Sequence, residues 1–331
     1  MAFLELRGMN KRFGATVALH QAAFSAELGE VHALIGENGS GKSTLVKILA
    51  GVISRDGGEI TLDGSSFEPG NPANARNSGI AMIHQELSLC NDLNVQENIL
   101  LGVERTSGLF LDQSQQRAIA VEALARLGIE DVDPQTRVGD LPIAMRQMVE
   151  IARSLAIGCR VLILDEPTSS LTQTDVEKLF ALIESLKNQG LAIIYISHFF
   201  DEINRISDVF TVLRDGEVTG TGITNEVPDS EIISMMVGRE IDDLYPHHSR
   251  TPGETVLSAA KLSSNFGLKP SSLELRAGEV LGIAGLGGSG RTELARAIFG
   301  LDQVTNGSVS IVSNVVQPNA RRSWLHGIGM V

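Results

Sequence analysis

The sequence has only two cysteines in 331 residues, and Cys90 and Cys159 stand at no spacing that suits a metal site or a redox pair. They read as free thiols in a reducing compartment. Basic residues are not in excess: Lys and Arg total 27 against 40 Asp and Glu, a formal charge of −13. Such a chain does not easily neutralise phosphate backbones, which argues against non-specific binding to DNA or RNA, although a total leaves room for a local basic patch. No apolar run reaches the roughly 18 residues that span a bilayer. The opening residues, Met1-Ala2-Phe3-Leu4-Glu5-Leu6-Arg7, lack the basic-then-apolar order of a secretory signal, so none is expected. Hydrophobic residues make up 43% and charged residues 20%, a globular composition. The length suggests about two domains.

Glycine is what the chain has in excess. It supplies 34 of 331 residues, about 10% against a usual value of about 7%. Without low complexity, that excess suggests loops that bring backbone close to something else.

Residues 1–87 read as short strands and turns with one helix. Val31–Ile35 is a buried-strand pattern running into a glycine loop, Lys42–Leu49 a helix, and Gly51 its stop. Residues 88–155 read as helical, with Ala118, Val121, Leu124 and Leu127 as an apolar stripe ended by Gly128. Val161–Leu164 and Ala192–Ile196 are short apolar runs of the kind found in a parallel sheet covered on both faces. Between them, Thr174–Asn188 carries Val176, Leu179, Leu182, Ile183 and Leu186 on one helical side. Residues 241–254, polar and with two prolines, read as a linker.

After the linker the sequence repeats itself. Gly29-Glu30-Val31 matches Gly278-Glu279-Val280, an offset of 249, and the same offset pairs Gly36 with Gly285, Gly41 with Gly290, Lys42 with Arg291, Ser43 with Thr292 and Gly51 with Gly300. A second copy of the first domain therefore begins near residue 255. It is expected to be cut short, since the first copy takes about 240 residues and only 77 remain.

Gly36-Glu37-Asn38-Gly39-Ser40-Gly41-Lys42-Ser43 fits the phosphate-loop pattern G-x-x-x-x-G-K-[ST], and it follows a strand and opens a helix as that motif requires. Glycines let backbone N–H groups wrap phosphates, and the helix N-terminus adds positive potential. Lys42 is placed to reach the β- and γ-phosphates, Ser43 to bind Mg²⁺, and Thr44 to make a further phosphate contact. Val161-Leu162-Ile163-Leu164-Asp165-Glu166 supplies a buried strand with two carboxylates at its end. Asp165 is placed to hold Mg²⁺ and Glu166 to act as general base for the attacking water.

The chain resembles the ATP-binding cassette ATPases over essentially its whole length, and most closely the tandem-cassette subunits of bacterial monosaccharide importers of the ribose, galactose and xylose type. The stretches that carry the resemblance are Met82-Ile83-His84-Gln85-Glu86-Leu87, Met148-Val149-Glu150-Ile151-Ala152-Arg153, Asp165-Glu166-Pro167-Thr168-Ser169-Ser170-Leu171-Thr172, Ile196-Ser197-His198, Val212-Leu213-Arg214-Asp215-Gly216, Met236-Val237-Gly238-Arg239-Glu240 and Gly290-Arg291-Thr292-Glu293-Leu294. The resemblance implies an α/β P-loop NTPase cassette over residues 1–240. It would have a mixed-sheet core, an N-terminal antiparallel β subdomain and a helical subdomain at about 88–155. The start of a second cassette would occupy 255–331. It implies that Phe13 stacks on adenine from a loop before the first β-hairpin, the alternative being a core phenylalanine. Gln85 would sense Mg²⁺ and the attacking water, and His198 would contact the γ-phosphate. The partners implied are integral membrane permease subunits, an extracytoplasmic sugar-binding protein acting indirectly, and a second ATPase chain or cassette. The place implied is the cytoplasmic face of the inner membrane, held peripherally.

Two departures matter. Cassettes of this family close head to tail, with ATP between one phosphate loop and a partner signature Leu-Ser-Gly-Gly-Gln; here that position reads Leu141-Pro142-Ile143-Ala144-Met145. The serine hydroxyl is gone, Pro142 lacks an N–H, and Ile143 and Ala144 restrict close backbone approach. In the second copy Gly285, Gly290 and Thr292 persist, but Arg291, planar and bulky, stands where the lysine belongs. Both weaknesses fall on one composite site, while the site at Gly36–Ser43 would need a signature from a second cassette. Slow hydrolysis by this chain alone is therefore expected. Two alternatives stand beside the importer ATPase: a nucleotide-binding remnant impaired in hydrolysis, and a soluble tandem ATPase acting on ribosomes or nucleic acid. The short linker and acidic charge disfavour the second.

Overall fold

A computed structural model describes residues 2–84, 87–107, 110–238, 251–285, 288–312 and 314–331. It divides into two compact units, Met1–Tyr245 and Pro246–Val331. Most of the expected linker lies outside the described residues.

The first unit runs β1 (Leu4–Phe13), β2 (Thr16–Ala26), β3 (Val31–Ile35), α1 (Lys42–Leu49), β4 (Gly57–Leu62), β5 (Ser65–Ser66), α2 (Pro72–Asn77) and β6 (Ile80–Ile83). It continues with α3 (Val95–Leu100), β7 (Thr106–Ser107), β8 (Phe110–Leu111), α4 (Gln113–Arg126) and α5 (Ile143–Ala156). After these come β9 (Val161–Asp165), α6 (Gln173–Asn188), β10 (Ala192–Ile196), α7 (Phe200–Ile206), β11 (Val209–Arg214), β12 (Glu217–Ile223) and α8 (Asp229–Val237). The central sheet has the order β12-β11-β3-β10-β9-β6, parallel except for the antiparallel edge strand β12. Its middle strands are buried on both faces, which is why Val31–Ile35, Val161–Leu164 and Ala192–Ile196 are continuous apolar runs rather than alternating ones. A second, antiparallel sheet has the order β2-β1-β4-β5. The helices α3, α4 and α5 pack on one another around Ile99, Ala120, Leu124, Val149 and Ile151.

Three details differ from the sequence expectations. The first 87 residues hold a second helix, α2, capped by Asn71, whose side chain accepts from the Asn74 N–H, with Pro72 at the first helical position. Proline there costs nothing, because its missing N–H would be unpaired anyway. The 88–155 stretch also contains a two-residue hairpin, β7–β8. In α4 the buried face is Gln116, Ala120, Ala123 and Leu124, while Ala118 and Val121 are exposed. A strict spacing of three slips about 60° per step on a helix of 3.6 residues per turn, so it leaves the core face within two steps.

The second unit runs β13 (Thr255–Ser264), β14 (Ser271–Arg276), α9 (Arg291–Phe299), β15 (Val304–Ile311), β16 (Asn314–Val316) and α10 (Ala320–Leu325). Its sheet order, β14-β13-β15-β16, repeats β2-β1-β4-β5 strand for strand. The helix α9 starts on Gly290 at φ +95°, as α1 starts on Gly41 at φ +109°. One element does not follow the repeat. Residues 280–284, equivalent to β3, form no strand, and Val280 and Ile283 are 78% and 46% exposed. In the first unit β3 is flanked by β10 and β11; among the described residues of the second unit nothing flanks its counterpart.

Candidate functional site

The phosphate loop lies between the carboxyl end of β3 and the start of α1, the position at which open α/β sheets bind ligands. Gly39 and Gly41 take φ +85° and +109°, which a side chain rarely adopts. A Cβ on Gly41 would stand 2.7 Å from the Ala18 carbonyl oxygen. The helix α1 has no side-chain cap at its start, so its first N–H groups face the loop rather than a neighbouring side chain. Lys42 is buried and folds back over the loop, its Nζ donating to the carbonyls of Gly36 at 2.7 Å and Glu37 at 2.9 Å. Burial lowers its pKa from the ordinary lysine value, opposed by the negative charges of Glu166, Asp165 and Glu37. Glu37, Asn38 and Gly39 are exposed at the loop tip, Ser40 is buried under it, Ser43 is exposed at the helix start, and Thr44 is half-buried.

Asp165 ends β9 and Glu166 follows it. Burial raises the Asp165 pKa above the ordinary carboxylate value, Glu166 adds to the rise, and His84, Lys47 and Lys42 oppose it. Glu166 takes φ +47°, an uncommon conformation for a side-chain-bearing residue, and its N–H donates to the Ile196 carbonyl at 3.0 Å. That turn lifts its carboxylate out of the strand. His198 follows β10, is half exposed, and meets Glu166 through Nδ1 and Oε1 at 3.2 Å. The sequence places these two residues 32 positions apart; adjacent parallel strands bring them together.

Phe13 is the last residue of β1, within the first hairpin rather than ahead of it, and it is 50% exposed, so it is not a core residue. Lys11 Nζ lies 5.5 Å from its ring centroid. Gln85 lies outside the described residues. At the degenerate signature, Pro142 caps α5, Ile143 is exposed, and Leu141, Ala144 and Met145 are half-buried. Arg146 donates to the carbonyls of Leu141 at 2.9 Å and Gly139 at 2.6 Å, which fixes the approach to the helix. In the second unit Arg291 and Thr292 are exposed at the start of α9, and Gly285 lies in the unpaired segment.

Sequence reasoning missed several residues here. His84 acts on the Asp165 charge. Gln147 of α5 is buried and donates to the Pro167 carbonyl at 2.9 Å, tying the helical region to the turn after Glu166. Tyr195, in the middle of an apolar strand, was the one visible signal of a buried polar partner.

The residues fit a magnesium–nucleotide complex. A Cβ on Gly36 or Gly41 would meet backbone at 2.3 or 2.7 Å, the helix start is uncapped, Lys42 lies over the loop, and the partly buried Asp165 carboxylate feels the Lys42 and Lys47 charges. Among the described residues no cluster of three His, Cys, Asp or Glu side chains could hold a metal alone.

Comparison with known proteins agrees in kind. The ABC transporter family matches residues 19–169 and 268–331. A ribose import ATP-binding protein of Rubrobacter xylanophilus is 45% identical over 329 residues, covering 99% of this chain and 66% of that protein. A putative ribose/galactose/methyl galactoside import ATP-binding protein of Agrobacterium fabrum is 46% identical, over 92% of this chain and 59% of that protein. The chain thus spans less than two-thirds of the length of these relatives. A crystallised nucleotide-free ATP-binding cassette from an ABC transporter has the same fold, with a TM-score of 0.63 and 23% identity over 72% of this chain and 100% of that one.

Proposed function

The chain belongs to the ABC transporter family, and from that premise we propose that it binds Mg-ATP at residues 36–44 and uses its hydrolysis to drive monosaccharide import through membrane permease subunits. The observation that carries this reading is the convergence of Lys42, Asp165, Glu166 and His198 at the carboxyl ends of β3, β9 and β10.

In this reading the backbone of Gly36, Glu37, Asn38, Gly39, Ser40 and Gly41 wraps the phosphates, and Thr44 adds a contact. Lys42 exchanges its carbonyl partners for phosphate oxygens, gaining anionic acceptors in place of neutral ones. Ser43, Asp165 and Gln85 hold Mg²⁺, which neutralises charge building on the phosphates when bound. Glu166 takes the proton of the attacking water, and its position at an outward turn keeps the carboxylate free to do so. His198, held against Glu166, contacts the γ-phosphate. Phe13 offers the ring face not covered by Lys11 to adenine. An extracytoplasmic sugar-binding protein acts through the permease, and the chain sits peripherally on the cytoplasmic face of the membrane. No helix among the described residues is long and apolar enough to cross a membrane.

Turnover needs a signature in trans. The chain's own Leu141–Met145 offers no serine hydroxyl, and Arg291 replaces the compact ammonium in the second loop. The 331-residue chain therefore binds Mg-ATP and hydrolyses it slowly, whereas a version continued through a full second cassette turns over faster. Steady-state phosphate release by the two, with ATP affinity measured alongside, tests this. Equal rates would sink the trans requirement, and absence of ATP binding by either would sink the reading as a whole.

A further inference from the structure

The strand β10 reads Ala192-Ile193-Ile194-Tyr195-Ile196 and is buried throughout. Tyr195 is 0% exposed, yet it carries a hydroxyl into an otherwise apolar strand. That hydroxyl donates to Glu202 Oε2 at 2.8 Å. Ser197, 2% exposed, donates to the same oxygen at 2.7 Å. Burial, reinforced by the Glu202 charge, drives the phenol pKa far upward, so Tyr195 stays protonated and remains a donor. The Thr168 side chain opposes that rise.

The bonds close on the residue between Ser197 and Phe199. The Phe199 N–H donates to Ser197 Oγ at 3.0 Å, and the Glu202 N–H donates to the Phe199 carbonyl at 3.2 Å. His198 is thus exposed, beside the exposed Phe199, on a turn whose flanks are both tied down. Its ring also stacks on Phe199, with centroids 4.1 Å apart. On the other side Thr168 belongs to the turn that carries Glu166, and Glu166 is bonded to Ile196 through its backbone. The buried Tyr195 phenol is therefore bonded to the element that follows His198 and is influenced by Thr168 of the Glu166 turn.

We propose that Glu202 and Tyr195 are positioning residues: a latch of a half-buried carboxylate and a buried phenol that sets the His198 imidazole against Glu166 and holds it there during ATP hydrolysis. The proposal rests on the reading of His198 given above. Neither residue touches the reacting atoms; each acts through the 197–199 turn. A carboxylate suits the task because one oxygen accepts two hydroxyls at short distance, where a neutral acceptor binds each more weakly. Misplacing a reacting group by about 1 Å can cost on the order of a hundredfold in rate, so a latch remote from the chemistry can still control it.

The test uses the 331-residue chain in two measurements. The first is NMR of the His198 ring, assigned by its loss in His198→Ala. Glu202→Ala moves those resonances, and Glu202→Gln leaves them near their original positions, because the amide oxygen still accepts both hydroxyls. The second is single-turnover hydrolysis at saturating ATP. Glu202→Ala slows it about tenfold or more with ATP affinity within about threefold, Glu202→Gln recovers most of the rate, and Tyr195→Phe falls between. In a His198→Ala background Glu202→Ala adds little. Unmoved His198 resonances in Glu202→Ala would overturn the latch, and so would a full additional rate loss in the His198→Ala background. Normal hydrolysis by His198→Ala would instead remove the role given to His198, while the ring resonances still decide whether the latch holds it.

Discussion

Gly41 gives the sharpest test of the phosphate loop as a built cradle. Replacing it with alanine puts a Cβ 2.7 Å from the Ala18 carbonyl oxygen and 2.9 Å from Leu19 Cδ2, at φ +109°. Relief to an ordinary contact of 3.4 Å requires about 0.7 Å of movement against β2, a backbone that cannot swing aside as a side chain would. Gly39 is the internal control. It has φ +85°, but a Cβ there meets nothing within 4 Å. Both variants carry the cost of alanine in a left-handed conformation, about 1–2 kcal/mol. Only Gly41→Ala adds overpacking, about 1–3 kcal/mol more. At about 2–4 °C per kcal/mol for a unit of this size, Gly41→Ala should melt roughly 2–12 °C below Gly39→Ala. The displaced helix start carries Lys42 with it, so Gly41→Ala should also lose at least about tenfold in ATP affinity, worth about 1.4 kcal/mol. Thermal melts and equilibrium titration with Mg-ATP read both effects. Equal melting temperatures for the two variants, or wild-type affinity in Gly41→Ala, would refute the reasoning, because the close approach to Ala18 would then have no consequence.

Two further outcomes follow from the carboxylates. Glu166→Gln should keep ATP binding and lose turnover by about a hundredfold or more, the usual contribution of a general base; normal hydrolysis would remove Glu166 from that role. Asp165→Asn should raise the melting temperature of the nucleotide-free protein near neutral pH while weakening Mg-ATP binding. The sign follows from the raised pKa. The fold favours the protonated form of Asp165, so its contribution is fully present at low pH and is lost as pH rises through the folded pKa. The thermal gain should therefore shrink as pH falls toward the ordinary aspartate value of 3.8. A gain independent of pH would show that desolvated charge is not the cause.

Contiguous features were legible without coordinates. The phosphate loop, its strand and its helix occupy residues 31–49, and each is a local pattern: an apolar run, glycines, then a helix former opened by lysine. The repeat was equally plain as a pattern, because the offset of 249 recurs at several glycines, and the antiparallel sheets of the two units have matching strand orders. Errors came where a local pattern had two readings. The spacing of Ala118 and Val121 mimics a helical stripe but faces solvent, and the single helix expected in residues 1–87 leaves out α2, which Asn71 caps.

Relations between distant residues belong to tertiary structure. Glu166 and His198 were each legible as residues that follow a buried strand. Their contact exists because β9 and β10 lie side by side and in register, with Ile196 opposite Asp165. Tyr195 was legible only as an oddity in an apolar run; its meaning depends on Glu202, to which it is bonded, and on Thr168 of the Glu166 turn. The same holds for residues 280–284. Their sequence matches that of β3, but a parallel strand takes its hydrogen bonds from its neighbours, and among the described residues of that unit none stands beside it. Pattern determines which segments can bury a face. Whether they do so is decided by the partner strands that satisfy their backbone.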